Sequence, residues 1–450
     1  MALFFILFVL LLGLLIAKHL VKDGLSRFVG ICFILYWYGS LALSTFRPMG
    51  LDKVGGFTYF LLILGGISYV FGFVLAGKGR KVANVKYTKE YFEIKAEKVY
   101  TNLFFQVVLV LLIVYFMFYV REALIYSELM GRASRVNNGD DLYSDNTLFV
   151  TVYNYIGSIF FHLCNVLFWE GVINFKKKNI IPLVLLLLYI LSYSILNGGR
   201  QIIVISLLYF LFLFFYNHNY KVKLSFKYVV LFVVLASATV YGIASISSFR
   251  SYGTYVMDSE EAAEGMNSAG EKVLQYSVLP SALFNYSLEH DFKTRLGGPY
   301  YGRATFAGLD MWIWAIMRYF IDYEPVGNTV VQYVQDNYFP ISNEQESNYA
   351  YTALFYHYMD FGIIGVAFFP FLFGFIFRRL IFKYYNSGSV SLLVLLGFCY
   401  YMMMHAMFTC YLIKGWSVIY IIGLYVLYRF NALKRKQLLT HSVISPQREA

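Results

Sequence analysis

The residues best suited to chemistry lie in one long polar stretch, residues 250–348, of an otherwise apolar chain. This stretch contains half of the acidic residues and several arginines. Arginine presents a planar, permanently charged fork that grips phosphate oxygens, and it tolerates desolvation better than lysine does. A carboxylate can orient or deprotonate a hydroxyl group. Because a long loop with such residues is typically functional, we expect the chemistry of this protein there.

Composition indicates the class of protein that carries this loop. The chain is 59% hydrophobic and 14% charged, and its mean hydropathy is +0.59. Its apolar runs can cross a roughly 30 Å hydrocarbon core as helices, which predicts an all-α, polytopic membrane bundle of about eleven spans. The predicted spans are 3–17, 28–44, 57–76, 102–120, 148–169, 180–196, 201–216, 228–247, 350–376, 390–407 and 416–428.

Charge bias predicts the orientation of the bundle. Lysine and arginine concentrate in alternate connections, on both sides of the Gly-Gly-Arg break that separates spans six and seven. By the positive-inside rule these connections are cytoplasmic, so the amino terminus is outside and the carboxyl terminus inside. The predicted parts are membrane helices 1–8 (1–249), a large outer loop (250–348), membrane helices 9–11 (349–430) and a cytoplasmic tail (431–450). The same topology explains the net charge of +11 without a nucleic-acid partner.

Arginines are unusually frequent on the predicted outer side. Arg200 follows Gly198 and Gly199 at the outer end of two spans, where small residues let a ligand approach the backbone. Arg250 ends span eight and opens the loop. These side chains suit the phosphate of a lipid-linked substrate. The alternative is that they extend to lipid headgroups, as single interfacial arginines commonly do.

Within the loop, a segment rich in turn formers ends at Tyr301-Gly302-Arg303. The following residues, 304–321, are apolar and aromatic but too short and too polar to span, so we expect an interfacial or re-entrant helix. Asp310 and Arg318 are eight residues apart and could share one face of that helix. They are candidates for substrate contact; the alternative is a partnership with each other or with lipid headgroups.

The helix after the loop begins near Tyr351 and carries His357 and Asp360. Ionisable groups at this depth are costly, so both should face the protein interior or a water-filled cavity. Their three-residue spacing places them on one helix face. The sequence leaves open whether they form a structural pair or handle a proton. His405 is a weaker candidate, and His162, which lies in a span without a clear partner, is not a candidate.

Together these segments resemble the bacterial oligosaccharide repeat-unit polymerases, the Wzy-like O-antigen and capsule polymerases. The similarity rests on Asn197-Gly198-Gly199-Arg200, Ser248-Phe249-Arg250, Tyr301-Gly302-Arg303 and the helix start from Tyr351 to Gly365. In the related polymerase and ligase superfamily this helix often begins with His-Asn and carries two glycines. Gly362 and Gly365 match those glycines, whereas Tyr351 and Thr352 occupy the His-Asn positions.

The resemblance implies a glycosyltransferase with a GT-C-like architecture in the bacterial inner (plasma) membrane, acting at the outer face without metal or cofactor. A glycan on undecaprenyl pyrophosphate would be transferred to a second lipid-linked repeat unit, with a chain-length regulator as a possible partner. Cations would stabilise the lipid pyrophosphate leaving group. The expected roles are catalytic for Arg250, Asp310, His357 and Asp360; the expected substrate-binding residues are Gly198, Gly199, Arg200, Tyr301, Arg303, Arg318 and Tyr351.

Two other functions remain open from the sequence. An O-antigen ligase would use the same donor chemistry with a different acceptor. A lipid-linked oligosaccharide flippase would be a non-enzymatic transporter of similar hydrophobicity. The spans carry few internal charges and no obvious repeat, which disfavours transport.

Overall fold

A computed structural model describes residues 2–21, 23–78, 85–130, 147–197, 201–218, 274, 277–342, 345–347 and 351–444. The predicted span at 228–247 lies outside these residues. The described part of the chain is mostly helical, as the sequence predicts.

Nine helices precede the large loop in the described ranges. They are α1 (Ala2–Leu20), α2 (Gly24–Ser44), α3 (Gly56–Gly77), α4 (Val85–Tyr100), α5 (Leu103–Met130), α6 (Thr147–Thr151), α7 (Ser158–Ile173), α8 (Ile180–Asn197) and α9 (Gln201–Asn217). A π-helical turn, Val152–Gly157, joins α6 to α7.

The loop and the segments after it contribute further elements. They are α10 (277–289), α11 (Phe292–Arg295), α12 (Ala307–Met317), α13 (Val326–Asp336), β1 (Phe339–Ser342), β2 (Gln345–Ser347), α14 (Ala353–Phe361), α15 (Ile363–Ser387), α16 (Val390–His405) and α17 (Gly415–Ile444). The two strands form an antiparallel hairpin.

Among the described residues, seven helical segments are long and apolar enough to cross a membrane. α9 and α16 are apolar but shorter. The predicted span at 350–376 was wrong in its bounds, because the helix breaks at Gly362 and continues to Ser387. Gly362 has φ +62° and ψ −138°, a conformation that side-chain-bearing residues avoid, so it divides the segment into α14 and α15.

The core of the bundle is the crossing of α3 and α15. A Cβ at Gly72 would lie 2.1 Å from the carbonyl oxygen of Phe371, and one at Gly374 would lie 2.3 Å from that of Tyr69. Reciprocal glycines therefore bring the two backbones into direct contact, which is the way membrane helices gain packing energy.

The long loop packs onto the start of α3. The Asn285 side-chain oxygen of α10 accepts hydrogen bonds from the Gly55 amide and the Thr58 hydroxyl, both at 2.7 Å. The Asp52 amide donates to the Ile341 carbonyl of β1 at 2.8 Å. These contacts fix the described part of the loop as a layer over one end of the bundle.

Candidate functional site

The turn 301–306 is the centre of the candidate site. Tyr301 has φ +53° and Gly302 has φ +96°, so two successive residues take left-handed or extended positive-φ conformations. The Asp360 carboxylate of α14 accepts hydrogen bonds from the amides of Ala304, at 3.0 Å, and Thr305, at 2.8 Å. Because Asp360 is fully buried, it acts as an anchor for this turn.

His357 lies one helical turn before Asp360 and reaches the same segment. Its Nδ1 is 2.9 Å from the Thr305 hydroxyl. The predicted common face is therefore confirmed. The two side chains converge on Thr305 and, in the described structure, share no hydrogen bond with each other. Of the predicted catalytic residues that are described, His357 alone lines the cavity below the turn.

Asp310, in the first turn of α12, anchors the other end of the turn. It is 3% exposed and accepts hydrogen bonds from Arg303 Nε at 2.9 Å and from the Gly327 amide at 3.0 Å. The Tyr323 hydroxyl donates to it as well. Asp310 does not pair with Arg318, which the sequence left as an alternative. The Arg318 guanidinium instead stacks on Trp314, 4.6 Å from the ring centroid.

Arg303 is held in a fixed orientation. Beyond its Nε bond to Asp310, its Nη2 donates to the Glu324 carbonyl, and the guanidinium lies 4.8 Å from the Tyr323 ring centroid. The side chain is 35% exposed. Since Nη1 bonds to none of the described residues, Arg303 presents one terminal NH₂ group to a ligand, not the whole fork that the sequence suggested.

An apolar cavity extends from the turn into the bundle. The cavity volume is about 260 Å³. Thr305 and His357 form its polar end, and Phe306 together with α2, α3, α15 and α16 contributes apolar walls. Ile376 lines the cavity and is 46% exposed, which places the mouth on the lateral surface of α15.

The sequence reasoning missed one cation beside the turn. A Cβ at Gly362 would lie 3.2 Å from Lys293 Nζ. Gly362 is also the N-cap of α15, which has no side-chain cap. The partial positive charge of that helix end and the lysine therefore lie together near Tyr301, which is 73% exposed. Lys293 belongs to no motif in the sequence, so its position beside the turn is visible only in the folded structure.

The remaining predicted site residues have different outcomes. Gly198, Gly199, Arg200 and Arg250 lie outside the described residues. Arg318 is exposed after the end of α12. Tyr351 is 1% exposed, and its ring centroid lies 4.6 Å from that of Phe355, so the side chain is enclosed in the protein core. Its contact with substrate stays a prediction.

The described residues contain no cluster of three or more His, Cys, Asp or Glu that could hold a metal ion. Comparison with known proteins gives no family for this chain: no protein-family model matches it, and no curated protein or solved structure is similar. The geometry of the site therefore carries the functional argument.

Proposed function

We propose that this protein is a polysaccharide polymerase that joins oligosaccharide repeat units carried on undecaprenyl pyrophosphate. The reaction breaks the bond between the sugar anomeric carbon and the pyrophosphate of one substrate, and an acceptor hydroxyl on a second substrate forms the new glycosidic bond. The charge bias of the connections supports a site at the outer face of a bacterial inner membrane.

One observation carries the proposal: the cation-bearing turn stands directly over an apolar cavity that opens sideways. Thr305 belongs to both, since its amide is held by Asp360 and its side chain lines the cavity. A charged rim above a hydrocarbon-lined slot is complementary to an amphiphile with an anionic head and a long apolar chain. A polyprenyl pyrophosphate has this form.

The residues at the rim suit a pyrophosphate leaving group. Arg303 Nη1, Lys293 and the N-terminus of α15 offer positive charge or donors, held in place before the reaction, to oxygens on which charge develops. Asp310 and Asp360 are positioning residues here, because backbone and side-chain donors already occupy their buried carboxylates. Among the predicted catalytic residues that the structure describes, His357 is the one that lines the cavity.

The proposal is tested by the size distribution of surface and lipid-linked glycan after the gene is deleted and restored. A polymerase predicts single repeat units on the final acceptor after deletion, and a ladder after restoration. Long, unattached lipid-linked polymer would instead identify a ligase. Single lipid-linked units that accumulate at the cytoplasmic face would identify a flippase and refute the proposal.

A further inference from the structure

A second cluster of polar and aromatic side chains lies beside the connection between α16 and α17. This connection, 406–414, is held by the Ala353 amide, which donates to the Ala406 carbonyl at 2.7 Å. Its residues 409–412 line the cavity described above, whereas Lys414, His162 and Trp416 do not. The cluster is therefore separate from that cavity, with the connection as the wall between them.

Lys414 is the charged member of the cluster. Its side chain is half-buried, and Nζ lies 5.2 Å from the Tyr411 ring centroid. It makes no salt bridge with the described residues, unlike Arg303 and Arg378. Burial lowers the pKa of Lys414 below its ordinary value. The site thus holds a partly desolvated cation that has no counter-charge among the described residues, and an anionic ligand would stabilise it.

Half-buried aromatic rings lie beside Gly415, the residue that follows this lysine: a Cβ at Gly415 would lie 3.0 Å from Trp312 Nε1 and 3.4 Å from the Tyr155 hydroxyl. Tyr155 and Trp312 meet edge to face at 5.4 Å, and Trp312 Nε1 donates to the Gly415 carbonyl at 3.3 Å. Trp416 stacks on His162 at 5.1 Å. The rings are only partly covered, so part of each remains accessible. Tyr155 belongs to the π-helical turn before α7, a feature that is frequent at functional sites.

The two histidines that had no role in the first site support these walls. His162 is buried, and its Nδ1 lies 2.9 Å from the Tyr209 hydroxyl. His405 is also buried, with its ring 4.4 Å from that of Tyr401. Contacts among α7, α9, α16 and α17 thereby hold these aromatic rings in fixed positions beside the connection.

We propose that Lys414, Tyr155, Trp312 and Trp416 form a second binding site, for the phosphorylated sugar head of the other lipid-linked substrate. The phosphate supplies the missing counter-charge, and the flat faces of a pyranose ring pack on the aromatic side chains. This inference rests on the proposed function, since polymerisation needs two such substrates at the same face. The turn 301–306 and its cavity hold one of them, and the Lys414 cluster holds the other.

The test is equilibrium binding of radiolabelled glucose 1-phosphate to the full-length protein in phosphatidylcholine nanodiscs. Lys414→Met should weaken glucose 1-phosphate binding about tenfold or more, because it removes a charge-assisted hydrogen bond. Lys414→Arg should retain binding, and so should Lys53→Met, which removes an exposed lysine before α3. Equal melting temperatures of the four proteins would show that the changes act on binding and not on folding.

Two results would overturn the inference. One is unchanged glucose 1-phosphate binding in Lys414→Met. The other is displacement of glucose 1-phosphate by nanodiscs that contain phosphatidylglycerol, which would assign the cluster to ordinary lipid headgroups. Failure of the proposed function is distinguishable, because it would show as an unaltered glycan ladder after gene deletion, whatever Lys414→Met does to binding. If gene deletion abolishes the glycan ladder but Lys414→Met binds glucose 1-phosphate normally, only the second site is refuted.

Discussion

The buried carboxylates illustrate how residue type differs from residue role. Asp310 and Asp360 were expected to act on a hydroxyl group, but the structure uses both to hold the turn 301–306. Each accepts hydrogen bonds from amides that would otherwise be unpaired. The positions were predictable from the sequence, and their partners were not, because the partners lie on other elements.

Asp360→Asn tests the anchor. The asparagine amide has one acceptor oxygen, and its NH₂ group would face an amide donor, so one of the Ala304 and Thr305 amides would lose its partner. We expect about 1–3 kcal/mol less stability and disordering of the turn, with at least tenfold less polymer. Hydrogen exchange of the 301–306 amides would measure disordering of the turn, and the glycan length distribution would measure the loss of polymer. Native-like exchange protection in the variant would contradict the anchoring role.

Arg303→Lys tests the guanidinium. A lysine keeps the positive charge, but its single ammonium group cannot replace the three nitrogens of the guanidinium. It cannot donate to Asp310 and to Glu324 and also reach a ligand. We expect normal protein levels with roughly tenfold or greater loss of polymer length, the effect of one or two charge-assisted hydrogen bonds. Arg295→Lys, at an exposed position of α11, is the matched control and should retain full activity. A full ladder in Arg303→Lys would remove Arg303 from the mechanism.

At the scale of elements, hydropathy predicts the existence of most helices better than their ends. The predicted spans 57–76 and 180–196 differ from α3 and α8 by one residue at most. The break at Gly362 could not be located in the same way, because the residues on both sides are apolar. α4 is charged and lies outside every predicted span, so hydropathy did not predict it.

The crossing of α3 and α15 gives a test of packing at this scale. Gly72→Ala would place a methyl group 2.1 Å from the Phe371 carbonyl oxygen, so the helices must separate. Overpacking of this kind costs about 1–3 kcal/mol. Gly39→Ala in α2 has no neighbour within 4 Å and serves as the control. Thermal unfolding in detergent should show a lower Tm for Gly72→Ala alone; equal Tm values would argue against close contact.

Docking of α4 should depend on pH. Glu97 forms salt bridges of 2.7 Å with both Lys176 and Lys178, and these lysines lower the pKa of Glu97 to about 2. A depressed carboxyl pKa stabilises the docked form above the ordinary glutamate pKa of about 4.3, and this stabilisation is lost as pH falls from there to about 2.

Spin labels at Lys98 and Phe175, both exposed, would report this undocking as a longer distance at low pH. The pair Lys176→Gln and Lys178→Gln should move the midpoint up towards pH 4.3, the value of an unpaired glutamate. An unchanged midpoint in that double variant would show that other contacts hold α4.

At the scale of the whole molecule, one buried ion pair joins segments that are 355 residues apart. Arg378 Nη2 of α15 donates to Asp23 Oδ2 at 2.9 Å, and both side chains are 4% exposed. Arg378 lies between the predicted spans 350–376 and 390–407, and in the structure α15 continues through it to Ser387. The pairing links the helix after the loop to the N-cap of α2, where Asp23 also accepts from the Ser26 amide.

This pair predicts an asymmetric response to mutation. Arg378→Met leaves the Asp23 carboxylate buried without its partner, which typically costs about 3–5 kcal/mol. Adding Asp23→Asn removes the unpaired charge while its side-chain oxygen still caps α2, so the double variant should recover a large part of that loss. Thermal or denaturant unfolding in one detergent measures all three proteins. If the double variant is as unstable as Arg378→Met, the cost lies in lost packing of the arginine on Phe73 and Phe382, not in charge. Recovery would show that electrostatic pairing between distant parts of the chain fixes the position of α15, and with it the Gly362 break and the turn above the cavity.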